Sequence, residues 1–259
     1  MRITLKRHAL LYSAAGALFL AGTLQAGLVS TVNAGGVFHD SAQTFGCSNA
    51  GTTTASCDFE AFGVPGTFDN ASGSYQANAQ YGSLDVTSMS STYHSGDLTG
   101  TSAAGFSDTF LLTGGIGSGT LVFVTEYWGY GSCESFICDD NSTVTLNTFT
   151  AHPVLGMPTI VYLPFSFSFD TLFNLNASAS TYTSALGNDL VTRNAHLRID
   201  AIEVLNSDGA LITSYGVTSG SGAAYPFVTP EPGTFALVIA ALIALPIVRR
   251  KSISACRRG

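Results

Sequence analysis

Phe165-Ser166-Phe167-Ser168-Phe169-Asp170-Thr171-Leu172-Phe173-Asn174-Leu175-Asn176-Ala177-Ser178-Ala179-Ser180 is the stretch that decides the fold class. Phe165, Phe167, Phe169, Phe173, Leu175, Ala177 and Ala179 share one parity. Ser166, Ser168, Asp170, Asn174, Asn176, Ser178 and Ser180 share the other, with Leu172 as the exception. Successive side chains of a strand point to opposite faces, so this period of two predicts strand with one buried and one wet face. The run is long enough for two strands, or for one strand bent near Asp170-Thr171.

The same pattern extends outward from there. Tyr75, Ala77, Ala79 and Tyr81 alternate with Gln76, Asn78 and Gln80, and after Gly82 the apolar parity passes to Leu84 and Val86. A bend or bulge would account for the switch. Residues 121–124 are apolar on both parities, which predicts a central strand covered on both faces. Leu197, Ile199 and Ala201 alternate with Arg198 and Asp200 before Ile202 and Val204 take the apolar role, so a bulge is expected near Ala201-Ile202. Asn206-Ser207-Asp208-Gly209 is a hairpin turn signal, with Leu211, Thr213, Tyr215 and Val217 as the returning strand. No stretch of 27–228 holds a helical period over three turns. Short strands with Gly-rich turns imply an all-β domain over 27–217, a β-sandwich of jelly-roll type. Residues 218–228, rich in Gly and Ser, read as a linker.

Charge divides the chain sharply. Residues 27–228 contain no lysine, only Arg193 and Arg198 as fixed cations, and sixteen carboxylates, for a formal charge of −14. Such a domain repels phosphate backbones, which argues against nucleic acid as a partner. The remaining eight basic residues lie at the two ends.

Both ends are apolar. Met1-Arg2-Ile3-Thr4-Leu5-Lys6-Arg7 precedes an apolar run over 9–24. A basic start, a short apolar core and small residues after it make a secretory signal peptide, assigned to 1–26. Ala26 and Ala34 both end plausible cleavage sites, and Ala26 is preferred because it follows the apolar core closely. At the other end, Thr229-Pro230-Glu231-Pro232-Gly233-Thr234 leads into an uncharged run over 235–248, followed by Arg249-Arg250-Lys251. Pro232 suits the entry to a helix and Thr234 its cap. A helix over 235–248 would be about 21 Å long, against a hydrocarbon core of about 30 Å. It suits a temporary hold on the inner membrane better than a permanent anchor, with the basic cluster and the tail 252–259 on the cytoplasmic side.

This end resembles the PEP-CTERM sorting signal of bacterial exported proteins: a Pro-Glu-Pro triplet, a short apolar helix and a basic cluster, in that order over 229–251. The resemblance implies Sec export and handling by an exosortase. It further implies delivery to the cell envelope or the extracellular polysaccharide matrix, with Pro230, Glu231, Pro232, Arg249, Arg250 and Lys251 as the signal. It implies no catalytic activity. Pro246 and the extra residues after Lys251 depart from the simplest form of the pattern.

Five cysteines divide by compartment: Cys47, Cys57, Cys133 and Cys138 are exported, and Cys256 lies in the tail. Each exported pair closes a short loop in an oxidising environment, so Cys47–Cys57 and Cys133–Cys138 are the expected disulfides.

Sequence signatures of catalysis are missing. There is no G-x-S-x-G elbow and no H-E-x-x-H. His39-Asp40-Ser41 does not make a triad by being adjacent. His152 reads as a loop residue and His196 as an edge residue opening a strand. Asp58 and Glu60 share a strand face and read as solvated. No cofactor is expected beyond a calcium ion, for which Asp139, Asp140 and Asn141 beside Cys138 are the candidate ligands. Tyr127, Trp128 and Tyr130 are the candidate glycan-stacking aromatics, or else a small core under the second disulfide loop. The function expected is therefore that of a non-enzymatic envelope or matrix protein whose middle domain is structural or glycan-binding. The alternative is a secreted glycan-active hydrolase or lyase on the same scaffold.

Overall fold

A computed structural model describes residues 26–38, 43–63, 69–133, 142–153, 156–212 and 214–228. The expected signal peptide up to residue 25, His39, Cys138, the Asp139-Asp140-Asn141 run and the whole of the expected sorting signal lie outside the described residues.

Most of the alternating runs become strands. In chain order the elements are β1 (Gly27–Phe38), β2 (Gln43–Gly51), β3 (Thr54–Phe62), β4 (Asn70–Gln80), β5 (Ser83–Tyr93), β6 (Gly96–Thr113) and β7 (Ser118–Cys133). They continue with β8 (Ser142–Leu146), β9 (Phe149–Ala151), β10 (Thr159–Ser168), β11 (Leu172–Leu186), β12 (Asp189–Asn206) and β13 (Gly216–Ser219). These form two antiparallel sheets that pack face to face, as in a β-sandwich. One has the order β2-β1-β6-β11-β8-β9, with β13 also on β6, and the other β10-β7-β12-β5-β4-β3. No helix long and apolar enough to cross a membrane occurs among the described residues.

The 165–180 run forms two strands, and they belong to different sheets. Phe169 and Asp170 turn the chain, with Asp170 at φ 56°, from β10 at the edge of one sheet to β11 inside the other. The chain changes layer while its apolar side keeps facing the core: Phe167, Phe169, Leu175, Ala177 and Ala179 are all buried.

The parity switch after Gly82 has a different origin from the bulge or bend expected. Tyr81-Gly82 is a tight hairpin, with Gly82 at φ 84°, and it pairs Gln80 with Ser83 and Ala79 with Leu84. A two-residue turn places odd positions opposite even ones, so both strands keep their apolar residues inward. The second expected bulge is real and lies close to its expected place. The β12–β7 register shifts between Ile199 and Ala201, which leaves Asp200 as the extra residue and lets both Ile199 and Ile202 face the core. The 121–124 strand is covered on one face only. Leu121 and Phe123 are buried, while Val122 and Val124 lie half-buried on the outer face.

Asn206 closes the next turn, its side-chain oxygen accepting from the N–H groups of Asp208 and Ala210. The returning strand is shorter than expected: after Leu211 and Ile212 touch β12, the chain crosses to the other sheet as β13. There β13 takes the place beside β6 that β1 occupies further along, since β1 pairs β6 over Gly96 to Ser107 and β13 over Phe110 to Thr113. Residues 218–228, expected as a linker, lie ordered against the sandwich instead. The Asp108 carboxylate, 2 % exposed, accepts from the N–H of Ser221 at 2.9 Å and from its hydroxyl. Tyr225 and Phe227 pack edge-on against Phe110, and the Ile202 N–H donates to the Pro226 carbonyl while the Val228 N–H donates to the Ile202 carbonyl, each at 2.9 Å. Small residues give this strap close approach to β6, and its two aromatics supply apolar area that a solvated linker would leave in water.

The core runs between the sheets. Tyr75, Phe106, Phe110, Phe123, Leu84, Leu98 and Leu197 are fully buried, and each large apolar side chain removed from water contributes about 1.5–3 kcal/mol. One part of the interface is hydroxylic: Ser88 bonds Ser102 at 2.9 Å and Thr181 at 2.8 Å, and Ser90 bonds Thr183 at 2.7 Å, all across the sheets. Pairing hydroxyls with one another is what allows a Ser- and Thr-rich sequence to bury them. The Cys47–Cys57 disulfide joins β2 to β3, one edge strand from each sheet, with their Cα atoms 6.2 Å apart. Cys133 is also disulfide-bonded, and Cys138, its expected partner, lies outside the described residues.

Candidate functional site

The outer face of the β10-β7-β12-β5 sheet carries a cluster of aromatic and charged side chains. Along β7, Leu121, Phe123 and Thr125 turn inward, so Glu126, Trp128 and Tyr130 turn outward. Along β12, Ala195, Leu197 and Ile199 are buried, which puts Asn194, His196 and Arg198 outward. The register then sets the rows. Trp128, His196 and Asp85 lie side by side across three strands, and Glu126 lies beside Arg198. On β10, Ile160 is level with Glu126 and Tyr162 with Val124.

Trp128 stacks on His196, with ring centroids 3.7 Å apart and planes 26° from parallel. Burial beneath the indole holds the imidazole below its ordinary value, outweighing the opposite pull of Asp85. His196 is therefore neutral at pH 7. It sits in the middle of an interior strand, not at an edge as its sequence position suggested. Arg198 reaches Glu126 at 2.6 Å through Nη2 and Asp200 at 2.6 Å through Nε. Hydrogen bonding to Asp200, together with the two carboxylate charges, raises the guanidinium further above its ordinary value. The bulge on β12 is what inserts Asp200 next to this pair. Tyr130 and Tyr162 are 54 % and 67 % exposed on either side. The backbone N–H of Tyr130 is held by the side-chain oxygen of Asn194.

Of the three aromatics expected to act together, Tyr127 parts from the other two. It turns inward and packs on Phe149 with centroids 5.9 Å apart. Trp128 and Tyr130 share the outer face. His196 was read from sequence only as an edge residue, and Arg198, Glu126, Asp85 and Tyr162 were not among the candidate site residues. The alternation of His196 and Arg198 with buried Leu197 and Ile199 is the signal that places them on the outer face, but their neighbours come from other strands.

Two other clusters carry less chemistry. The buried Asp69 carboxylate accepts from the N–H of Ser95 at 3.2 Å and its hydroxyl at 2.9 Å, and His94 Nδ1 lies 3.0 Å away. The serine hydroxyl thus points to the aspartate, so no serine–histidine relay forms, and the cluster fixes the β5–β6 turn where His94 has φ 70°. An open hollow of about 280 Å³ is lined by Ser118, Ser166, Phe167, Ser168, Thr171, Leu172 and Phe173, with no titratable side chain. His152 lies after β9, its Nδ1 3.0 Å from the carbonyl oxygen of Ser142. Asp58 and Glu60 lie exposed on β3. Among the described residues no three His, Cys, Asp or Glu side chains converge on a point suited to a metal ion.

The Trp128 face is an aromatic and hydrogen-bonding surface on which Trp128 is half-exposed beside His196. It suits stacking on the apolar face of a sugar ring, with fixed polar groups around it. Two of its carboxylates, Glu126 and Asp200, are held by one guanidinium, while Asp85 lies beside His196. No protein-family model matches the chain, and no curated protein or solved structure is significantly similar to it.

Proposed function

We propose that the chain is an exported, non-catalytic protein of the bacterial cell envelope or extracellular matrix, and that its folded domain binds polysaccharide through the Trp128 face. The observation that carries this reading is the Trp128–His196 stack on an outer sheet face, flanked by exposed Tyr130 and Tyr162 and by the Glu126–Arg198–Asp200 ion pairs. The tie of Glu126 and Asp200 to Arg198 favours fixed hydrogen bonding over proton transfer at those two groups, which supports binding over the glycan hydrolase or lyase alternative. The domain is a jelly-roll-like sandwich in this reading. The sorting signal over 229–251 supplies the route: Sec export, a temporary hold on the inner membrane through 235–248, then exosortase action near Pro230-Glu231-Pro232. Signal cleavage falls after Ala26. A cut after Ala34 would sever β1, where Ala34 is 6 % exposed and paired on both sides.

Binding of the secreted protein to a glycan array, followed by product analysis, tests the site. Binding without new reducing ends, lost in Trp128→Ala and kept in Tyr127→Phe, is the expected result. New reducing ends would overturn the non-catalytic reading, and full binding by Trp128→Ala would remove the site. The route is tested by fractionating host cells that carry an epitope ahead of residue 229. Glu231→Ala should trap a full-length, membrane-held form. Full-length wild-type protein in the inner membrane, unchanged by deletion of the exosortase, would make the tail a simple anchor.

A further inference from the structure

We propose, resting on polysaccharide binding at the Trp128 face, that the sugars bound there are amino sugars with free ammonium groups. The register lays a row outward from the indole. Trp128 on β7, His196 on β12, Asp85 on β5 and Asn78 on β4 are neighbours in turn. Adjacent strands lie about 4.8 Å apart, close to the length of one pyranose unit, so a glycan lying along this row sets successive sugars over successive strands. Trp128 at one end of the row offers a ring to stack on, and Asp85 and Asn78, both exposed, offer polar groups further along it.

Charge chooses among glycans. Arg198 is held by Glu126 and Asp200, and Asp85 is not among its partners. Strand alternation turns three more carboxylates to the same outer face: Glu203 on β12, beside inward Ile202 and Val204, and Asp58 and Glu60 on β3, on the side away from buried Cys57. Among the described residues of this face, one guanidinium thus stands against six carboxylates. Arg193 does not change that balance, because it turns inward and is 3 % exposed, and residues 27–228 contain no lysine. His196, which burial holds below its ordinary value, adds no fixed cation. A uronate, sulfate or phosphate on the glycan would bring like charge to Asp85. An ammonium on the sugar finds Asp85 as an ion-pair partner and the half-exposed indole of Trp128 as a cation–π partner. An N-acetylated sugar keeps the ring face for stacking and lacks the charge.

The test is titration of the secreted protein against glucosamine, N-acetylglucosamine and galacturonate oligomers of equal length, alongside the wider glycan array. It is run at about pH 6, below the titration range of an ordinary amine. Glucosamine oligomers should bind about three- to fivefold more tightly than their N-acetylated counterparts, the size of one exposed ion pair, and galacturonate oligomers most weakly. The preference should shrink as salt is added, because the attraction is screened. Asp85→Asn, an isosteric change at an exposed position, should lower the ratio of glucosamine to N-acetylglucosamine affinity toward one. Trp128→Ala should remove binding of both. Equal or tighter binding of the N-acetylated or galacturonate oligomers, or a ratio unmoved by Asp85→Asn, would overturn the amino-sugar assignment. Trp128-dependent binding confined to neutral or acidic glycans would overturn it too, and would leave the polysaccharide reading standing. Absence of Trp128-dependent binding to every glycan tested would overturn both.

Discussion

The hydroxyl of Tyr75 lies 2.6 Å from that of Ser90, and the Tyr75 ring lies directly over the Cα of Gly100 in the facing sheet. A Cβ at position 100 would stand 1.9 Å from a ring carbon, so only glycine lets this tyrosine cross the interface. Gly100→Ala should destabilise the domain by about 1–3 kcal/mol or more through overpacking. Tyr75→Phe should cost only about 0.5–1.5 kcal/mol, because Ser90 keeps Thr183 as a partner at 2.7 Å. Urea unfolding followed by circular dichroism measures both, and a Gly100→Ala midpoint above that of Tyr75→Phe would contradict the packing argument.

The Cys47–Cys57 bond joins the two sheets at one edge across a sequence separation of 10. Replacing both cysteines by serine should lower stability by about 2–3 kcal/mol, since a short loop restricts the unfolded chain only modestly. Non-reducing peptide maps should join Cys47 to Cys57. The domain has no lysine, and Arg193 and Arg198 are its only arginines, so a protease acting at acidic residues is the right tool.

Trp128 is the only tryptophan in the chain, and it touches His196. Its fluorescence is therefore a reporter of that one imidazole. Protonated imidazole quenches indole, so emission should fall on acidification with a midpoint below 6.5, the ordinary histidine value from which burial displaces His196. Because the folded pKa is the lower one, the unfolded chain takes up the proton first. The contribution of His196 to stability is thus full above about 6.5 and declines as pH falls from there through the folded value. His196→Gln should flatten that decline and remove the fluorescence titration, and a midpoint above 6.5 would contradict the burial argument.

Asp108 holds Ser221, and through it the strap that carries Tyr225 and Phe227 into the core. Burial and the nearby Asp108 carboxylate push the Tyr225 hydroxyl far above its ordinary range, so it stays neutral. Asp108→Ala leaves the Ser221 N–H and hydroxyl without their acceptor, a loss of about 1–3 kcal/mol concentrated in the strap. Chymotrypsin should then cut after Phe227 well before the sandwich unfolds. Equal resistance in mutant and wild type would show that the aromatic contacts alone hold the strap.

The strand content, the inward residues of β4, β10 and β11, and the bulge beside Ala201 follow from the sequence alone, because the period of two and its slips are local properties of the chain. Asn206 likewise announces its turn through side chain and neighbours only. Which sheet a strand joins is not local: Phe167 and Leu175 show the same alternation, yet one lies in an edge strand and the other in the opposite layer. The switch at Gly82 looks the same in sequence whether the chain bulges or folds back, and only the pairing of Ala79 with Leu84 distinguishes them. Tyr127 and Trp128 differ in parity, so their separation to opposite faces was legible. The meeting of Trp128 with His196 was not, because 68 positions separate them and the contact exists only through the register of β7 on β12. The strap over 218–228 reads as a linker by composition, and only Asp108 and Phe110, far earlier in the chain, make it part of the fold. Hydrophobic patterning says which way a side chain faces. What it meets there is decided by hydrogen-bond register and sheet packing, which join residues the sequence keeps apart.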